Sequence, residues 1–431
     1  MPFKNCLREN IILPVSDLLS RQQVSRYLHL LSEAELWDRE RMRSFQKARL
    51  REVLLFASQK VPYYREWFDS NGLNPRGVSL SQLPIVSKGV MRQEGIGRFA
   101  SEGFPVKQRL VSRTSGSSGE PFTYYESKLS YSVNMAAKLR TWYQAGYRLG
   151  DCYMKIANGD RNGRWKRIRD RINNCLYIPF FHMGDGVMES VLQAIEKEKP
   201  AFIRSYPGPL FLLAKYRLAH PGYTFTPRVV FTTGSTLYES YRETIERAFG
   251  CDVIDSYSCE GTPNVYETPV HSGYRVTDYY GIIEVLDEQD RPVTDGVGRV
   301  VSTDLWNYAH PFIRYDTHDL VEVRCGQIIN VIGRNSDVFD CGNGTFFTVH
   351  NFSRYFLSET QAVDAYQIVR HQNQSVTFRL VVNSQFTEDT GKAIVDFWRQ
   401  QLGMPVDLEI VGEIPLMNNN KRPVIINETT E

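Results

Sequence analysis

The sequence predicts an α/β protein: a large N-terminal unit with mixed and parallel sheets and a β-rich subdomain, followed by a small C-terminal α+β unit. Three observations carry this. Short β-rich runs alternate with helical stretches through the middle of the chain, the pattern of βαβ units and a largely parallel sheet. From Gly281 to Val323 strand patterning dominates, punctuated by Gly296, Gly298 and Pro311. Beyond Gly333 the pattern restarts as a compact segment of about 100 residues, an ordinary domain size.

Residues 24–68 have helical period and are rich in Leu, Glu, Arg and Gln, and the proline of Val61-Pro62-Tyr63-Tyr64 is expected to end that stretch. Residues 106–125 read as strand, loop, strand, with a run of Ser, Thr and Gly in the middle. The alternating region comprises strand 201–205, helix 209–218, strand 229–233, helix 237–249 and strand 251–256. In the C-terminal segment the expected elements are strands 365–370 and 375–382, helix 388–401 and strand 407–413. A boundary near 334–337 divides the chain into units 1–334 and 335–431. There is no internal repeat or low-complexity tract, which excludes a solenoid.

A chain of 431 residues, 42% hydrophobic and 23% charged, has the make-up of a folded protein of two or three domains rather than a disordered or fibrous one. No run approaches the roughly 20 apolar residues of a membrane span, so no membrane insertion is expected. The short apolar run near Ile11 is broken by Pro14 and lacks a cleavage site, and the seven cysteines are irregularly spaced without a CxxC pair. Reduced thiols and a cytoplasmic location follow as expectations. A formal charge of +2 gives no reason to expect a nucleic-acid partner. Arg161, Arg164, Lys166, Arg167, Arg169 and Arg171 concentrate positive charge in one segment, either a solvated helix face or a site for an anionic partner.

The stretch Ser112-Arg113-Thr114-Ser115-Gly116-Ser117-Ser118-Gly119-Glu120-Pro121 has the composition of a phosphate-cradling loop, because glycines and small hydroxyl residues let backbone N–H and side-chain O–H groups close around phosphate oxygens. It lacks the glycine spacing and terminal Lys-Ser/Thr of a Walker A loop, and by composition alone it could equally be a flexible connector. Four further patches follow in order: Thr232-Thr233-Gly234-Ser235, Asp255-Ser256-Tyr257-Ser258-Cys259-Glu260, Arg314-Tyr315-Asp316-Thr317-His318-Asp319 and Gly333-Arg334-Asn335-Ser336-Asp337. Lys421 completes the series near the C-terminus.

These patches, in this order, resemble the core motifs of the adenylate-forming superfamily. Val61-Pro62-Tyr63-Tyr64-Arg65 and Leu83-Pro84-Ile85-Val86-Ser87-Lys88 are similar to the N-terminal pattern of its phenylacetate-CoA ligase-like branch, which includes capsule-biosynthesis and deazaflavin-adenylylating relatives. The resemblance covers nearly the whole chain. It implies ATP-dependent adenylation of a carboxylic acid in an N-terminal adenylation domain, residues 1–334, under a mobile C-terminal lid domain, residues 335–431.

The resemblance also implies the site. Thr114, Ser115, Gly116, Ser117, Ser118 and Gly119 would hold the β- and γ-phosphates. Gly234 and Ser235 would lie against adenine, with Ser256 and Tyr257 at its other face, while Asp319 and Arg334 would meet the ribose. Glu260 would help hold Mg²⁺, a hard cation that prefers oxygen ligands. Lys421 would be the principal catalytic residue, its ammonium stabilising charge that develops at the α-phosphate. The chain departs from the family pattern in four places: Tyr257 stands one residue later than the usual aromatic, His318 replaces glycine, Ser336 replaces the hinge aspartate, and Asn420 replaces the glycine before the lysine. Threonine stands where a zinc-binding cysteine would be expected near His271, so no structural zinc is expected.

The acid would occupy a pocket lined within residues 135–183 and by Tyr206, Pro207 and Gly208. Trp142, Tyr143, Tyr147, Phe180 and Phe181 nearby would suit an aryl or arylacetic acid, although aromatics so placed also build cores. CoA is the first acceptor implied; an amine or carrier-protein thiol, adenylylation of a hydroxyl acceptor, and a non-catalytic nucleotide-binding role stay open, as does a homodimer.

Overall fold

In the computed structural model the residues described are 3–113, 123–158, 163–180, 184–269, 272–333, 338–341, 345–348, 351–352, 355–356, 360, 362–414 and 424–428. Helices Val24–Ala34, Arg39–Lys60 and Pro62–Asn71 open the chain after its first turns. Asp38 caps the second of them, accepting from the Arg41 amide at 2.7 Å. As expected, Pro62 bounds the second helix, which stops at Lys60 with Val61 extended. It stands in the first turn of the third helix, where its missing N–H is not needed and its fixed φ favours helix. Val53, Leu54, Ala57, Tyr64 and Phe68 bury themselves against Phe312, Ile313 and Tyr315.

A short strand β1 (Val86–Ser87) follows, then β2 (Arg109–Arg113) and β3 (Thr123–Ser127), which pair antiparallel as the strand, loop, strand pattern anticipated. The central sheet is formed by β4 (Tyr153–Asn158), β5 (Cys175–Phe180), β6 (Phe202–Ser205), β7 (Val229–Thr233), β8 (Asp252–Tyr257), β9 (Val265–Glu267) and β10 (Tyr274–Val276), in the order β10-β9-β8-β7-β6-β4-β5. The first five run parallel, and β9 and β10 add an antiparallel edge. Side chains alternate between two covered faces, as parallel sheets require. Ile203, Val230 and Val253 pack with Leu192, Leu213 and Phe249 from the crossover helices, whereas Phe202, Phe231 and Ile254 pack with Leu28, Leu31, Val133 and Ala136 from the helices on the opposite side. The chain leaves β4 toward β5 and then crosses back to β6, so strand order reverses between β4 and β6.

Next comes the β-rich subdomain, with β11 (Gly281–Leu286), β12 (Gly296–Asp304), β13 (Tyr315–Arg324) and β14 (Gln327–Gly333) antiparallel and β1 joined in parallel to the start of β13. Arg314 enters β13 with a left-handed φ of 45° and is buried. Its guanidinium meets both oxygens of Glu284 on β11 at 3.0 and 3.1 Å and donates to the carbonyls of Leu83 at 2.8 Å and Ser81 at 3.3 Å.

The C-terminal elements are β15 (Val338–Asp340), β16 (Phe346–Thr348), β17 (Val363–Arg370), β18 (Val376–Val382), helix Glu388–Leu402, β19 (Val406–Ile410) and β20 (Ile425–Asn427). Four of the strands form a sheet in the order β19-β18-β17-β20. Thr387 caps the helix and Gly403, at φ 65°, ends it. The core of this region draws on residues from Phe339 to Ile425, centred on Trp398, which stacks on Phe352 at 4.5 Å.

Removing one partner of a buried ion pair strands the other, so Arg314→Met should cost about 3–5 kcal/mol of stability in urea unfolding. The double variant Arg314→Met/Glu284→Met should recover part of that loss. An unchanged midpoint for the single variant would contradict the role given to Arg314.

Candidate functional site

In open parallel sheets, ligands bind outside the carboxyl ends of strands near the point where strand order reverses. Tyr206 follows β6, Gly234 and Ser235 follow β7, and Ser258, Cys259 and Glu260 follow β8, so the sequence-predicted residues share that edge. Gly234 has φ 85°, and a Cβ there would stand 2.8 Å from the Tyr206 ring. Both the backbone and the close ring therefore require glycine. Two residues on, Thr236 donates to the Ile332 carbonyl at 3.1 Å, tying this turn to the end of β14. Pro207 and Gly208 lie buried in the first turn of helix Pro207–Ala219. Tyr206, expected with Pro207 and Gly208 to line the acid pocket, stands against the Gly234 turn.

Beneath these loops lies a buried polar network. Asp255 accepts from the Thr232 hydroxyl at 2.6 Å and the Tyr274 hydroxyl at 3.0 Å, and its amide donates to Glu267 at 2.9 Å. Glu267 in turn pairs with Arg242 at 2.5 Å. Burial pushes the Asp255 carboxyl up to about 6, against the lowering effect of its hydroxyl donors. Thr232 and Asp255, both within the recognised patches, thus position the loops from below.

Strand alternation separates Ser256 from Tyr257. The Ser256 hydroxyl donates to the Thr232 carbonyl at 3.2 Å. Tyr257 packs beside the cluster of Val265, Tyr274 and Val300, and its hydroxyl donates to Asp319 at 2.9 Å. Burial, and then the Asp319 charge, raise the Tyr257 hydroxyl well above its ordinary range, so it remains a donor. The structure therefore brings Tyr257 and Asp319 together. His318 adopts φ 58°, the left-handed conformation that explains glycine at this place in the family pattern. Its amide is held by Asp316 at 2.8 Å, and Asp316 is held by Arg299 at 3.0 Å.

Glu260 accepts from the Cys259 thiol at 3.0 Å and forms part of the wall of a cavity of about 240 Å³. The next residue, Gly261, has φ 66° and so little space that a Cβ would lie 2.4 Å from Phe312. Another wall is one face of helix Lys128–Gln144, where Tyr131, Asn134, Met135 and Lys138 recur at helical spacing. Glu126, at the end of β3, and Asp304, at the end of β12, complete it. Of these, Met135 and Lys138 fall in the stretch expected to line the acid pocket, whereas sequence reasoning missed Glu126, Tyr131, Asn134 and Asp304, although the 131, 134, 135, 138 spacing was a readable signal. The aromatics proposed for the acid lie elsewhere: Trp142 stacks on Phe231 at 4.7 Å, and Tyr143 and Tyr147 are buried in the same core. Thr114, Ser115, Gly116, Ser117, Ser118, Gly119, Phe181, Arg334, Ser336 and Lys421 lie outside the described residues, as does the side chain of Phe180.

Among the described residues, no three His, Cys, Asp or Glu side chains converge as a metal cage. Magnesium bound to a nucleotide keeps several waters and needs only one or two protein carboxylates, which Glu260 fits. Nor, among those residues, is any helix long and apolar enough to cross a membrane.

No family model matches the chain. Protein CapK of Staphylococcus aureus is 21% identical over 408 residues, covering 89% of this chain and 88% of that protein. Phenylacetate-coenzyme A ligases of Thermus thermophilus and Pseudomonas putida are 23% and 26% identical, covering 84% and 72% of this chain and 86% and 74% of theirs. A crystal structure of 2-hydroxyisobutyryl-CoA ligase with 2-HIB-AMP and CoA shares the fold, with a TM-score of 0.58 at 20% identity over 91% of each chain. These likenesses support the reading of the chain as similar to the phenylacetate-CoA ligase-like branch of the adenylate-forming ligases.

The raised Asp255 carboxyl makes stability depend on pH. Because its folded value lies above that of an unfolded aspartate, its contribution is fully present below about pH 4 and is lost as pH rises through about 6. Unfolding free energy should therefore fall between about pH 4 and 6, with a share on the order of 3 kcal/mol from this group. Asp255→Asn should flatten that slope in urea titrations; an unaltered slope would contradict the assignment.

Proposed function

We propose that the chain uses ATP and Mg²⁺ to adenylate a carboxylic acid, releasing pyrophosphate, and then passes the acyl group to an acceptor thiol, with coenzyme A as the first candidate. The observation that carries the reading is that the Gly234 turn and Glu260 follow the adjacent parallel strands β7 and β8, while Asp319 is joined to β8 through Tyr257. Relatives named phenylacetate-coenzyme A ligase support the same reaction class.

In this reading the adenine lies by the Gly234 turn and the ribose hydroxyls meet Asp319, whose orientation Tyr257 fixes through its hydrogen bond. A carboxylate has two acceptor oxygens, which suits a vicinal diol. Glu260 would hold Mg²⁺, which would neutralise charge on the phosphates. The acid's carboxylate oxygen attacks the α-phosphorus from the Glu260 end of the cavity. An O–P bond forms as the bond to the β-phosphate's bridging oxygen breaks, and pyrophosphate takes the electron pair. The thiol sulfur next attacks the acyl carbon, AMP leaves with the shared oxygen, and the thiol proton passes to solvent. Residues 335–431 are assigned as the lid that brings Lys421 to the α-phosphate and then turns away, a gating step of a familiar kind. Thr114 to Gly119 would hold the departing pyrophosphate.

The test is pyrophosphate release from the full chain with ATP and Mg²⁺ across a panel of acids, with and without coenzyme A. Release that depends on one acid class and accelerates with coenzyme A is expected; silence with every acid would overturn the reading. Lys421→Ala should slow single-turnover pyrophosphate release by roughly 10²–10³-fold, as loss of an oxyanion-type donor does. An unchanged rate would remove Lys421 from the chemistry.

A further inference from the structure

The cavity beside Glu260 is furnished for a polar occupant. Lys138 and Glu126 both line it and lie near enough for each charge to favour the other, yet among the described residues no hydrogen bond or close ion pair holds either side chain. The nearby carboxylate is different: Asp304 accepts from the Trp306 and Asn307 amides at 2.7 and 3.1 Å and from the Tyr280 and Ser130 hydroxyls at 3.0 and 3.2 Å. Asp304 is therefore satisfied by the fold, whereas Lys138 and Glu126 are left facing the cavity. Both side chains stand half-buried at the cavity wall, where a polar ligand can meet them.

Their chemistry indicates what that ligand carries. Burial, and then the charge of Arg204, lower the Lys138 ammonium to about 8, so it still donates at neutral pH. Burial, and then the charge of Asp304, raise the Glu126 carboxyl to about 7, so it can accept or donate. Asn134, one turn before Lys138 on the same helix face, adds an amide that does both. At about 240 Å³ the space lies below the usual range for drug-sized ligands and suits a small molecule.

We infer that the acid adenylated by this chain is a small aliphatic carboxylic acid bearing a hydroxyl, which accepts from Lys138 and donates to Glu126 at the end of the cavity away from the reacting carboxylate. This deepens the adenylation reading and rests on it for the identity of the cavity as the acid site. It replaces the aryl or arylacetic preference, since the aromatics that suggested it are packed in the core.

The experiment compares matched acids, 3-hydroxybutyrate against butyrate, with phenylacetate and hexanoate as apolar controls. Calorimetric binding to the full chain and MgATP-dependent pyrophosphate release are read in parallel. The expected result is 3-hydroxybutyrate bound at least about tenfold more tightly than butyrate, the discrimination of one hydrogen bond to a charged group. Lys138→Met should erase that preference without lowering the thermal midpoint of the empty protein, because no hydrogen bond or close ion pair of the described residues is lost. A lysine with a merely structural role would lower the midpoint and leave the preference intact, which overturns the proposal. Should Lys138→Met not fold, Asn134→Leu is read by the same matched pair. Tighter binding or faster release with phenylacetate or hexanoate overturns the hydroxy-acid assignment while leaving adenylation standing. A hydroxyl preference in binding without pyrophosphate release from any acid overturns adenylation and leaves the cavity assignment standing.

Discussion

One buried guanidinium organises the N-terminal region and the β-rich subdomain together. Arg314 spans β11 through Glu284 and the 81–83 segment through two carbonyls, and its own carbonyl accepts from the Val86 amide at 3.0 Å. The adjoining Ile313 carbonyl receives the buried Tyr64 hydroxyl at 3.4 Å. The N-terminal helices and β1 are thereby clamped onto the strand that, five residues later, presents Asp319. A charge so deeply buried is tolerated because a carboxylate and carbonyls surround it, and it fixes geometry at least as much as it adds stability.

From that clamp the site inherits two kinds of polar group. Asp255, Glu267, Arg242 and Asp304 are buried, mutually satisfied and directed into the scaffold, where they hold strand ends and turns in register. Glu126 and Lys138 line the cavity with no hydrogen bond to hold their side chains among the described residues. The contrast separates residues that build the site from residues that meet a ligand, and it does so by hydrogen-bond accounting alone.

Much of the architecture was legible because its signals are local. The alternation through residues 201–256 yielded strands and helices close to those observed, since parallel strands covered on both faces read as short apolar runs between amphipathic helices. Pro62 was legible as the stop of the helix before it but not as the start of the helix after it, because the ring that breaks a helix interior is welcome in a first turn. Glycine at Gly234 and the departure at His318 were visible as letters, but their reason, positive φ at both, is a backbone fact. The cavity was not legible, since its walls come from a hairpin strand, a helix face and a strand end more than 170 residues away. Aromatic content stood out near position 142 instead, and close packing against Phe231 claimed it for the core.

Tyr257 illustrates how tertiary context reassigns a residue. One position out of step with the family pattern, it points to the β-rich subdomain and engages Asp319, while Tyr206 from the neighbouring strand end closes on the Gly234 turn. The aromatic and carboxylate functions expected of a nucleotide site are thus both near the strand ends, carried by a different pairing of residues.

The most direct test of the account is a crystal structure of the full chain grown with ATP and Mg²⁺. The account predicts adenine against the Gly234 turn, the ribose hydroxyls on Asp319 and Mg²⁺ within ligand distance of Glu260. Nucleotide bound at another place, or density at these strand ends with Asp319 and Glu260 both out of contact, would contradict it.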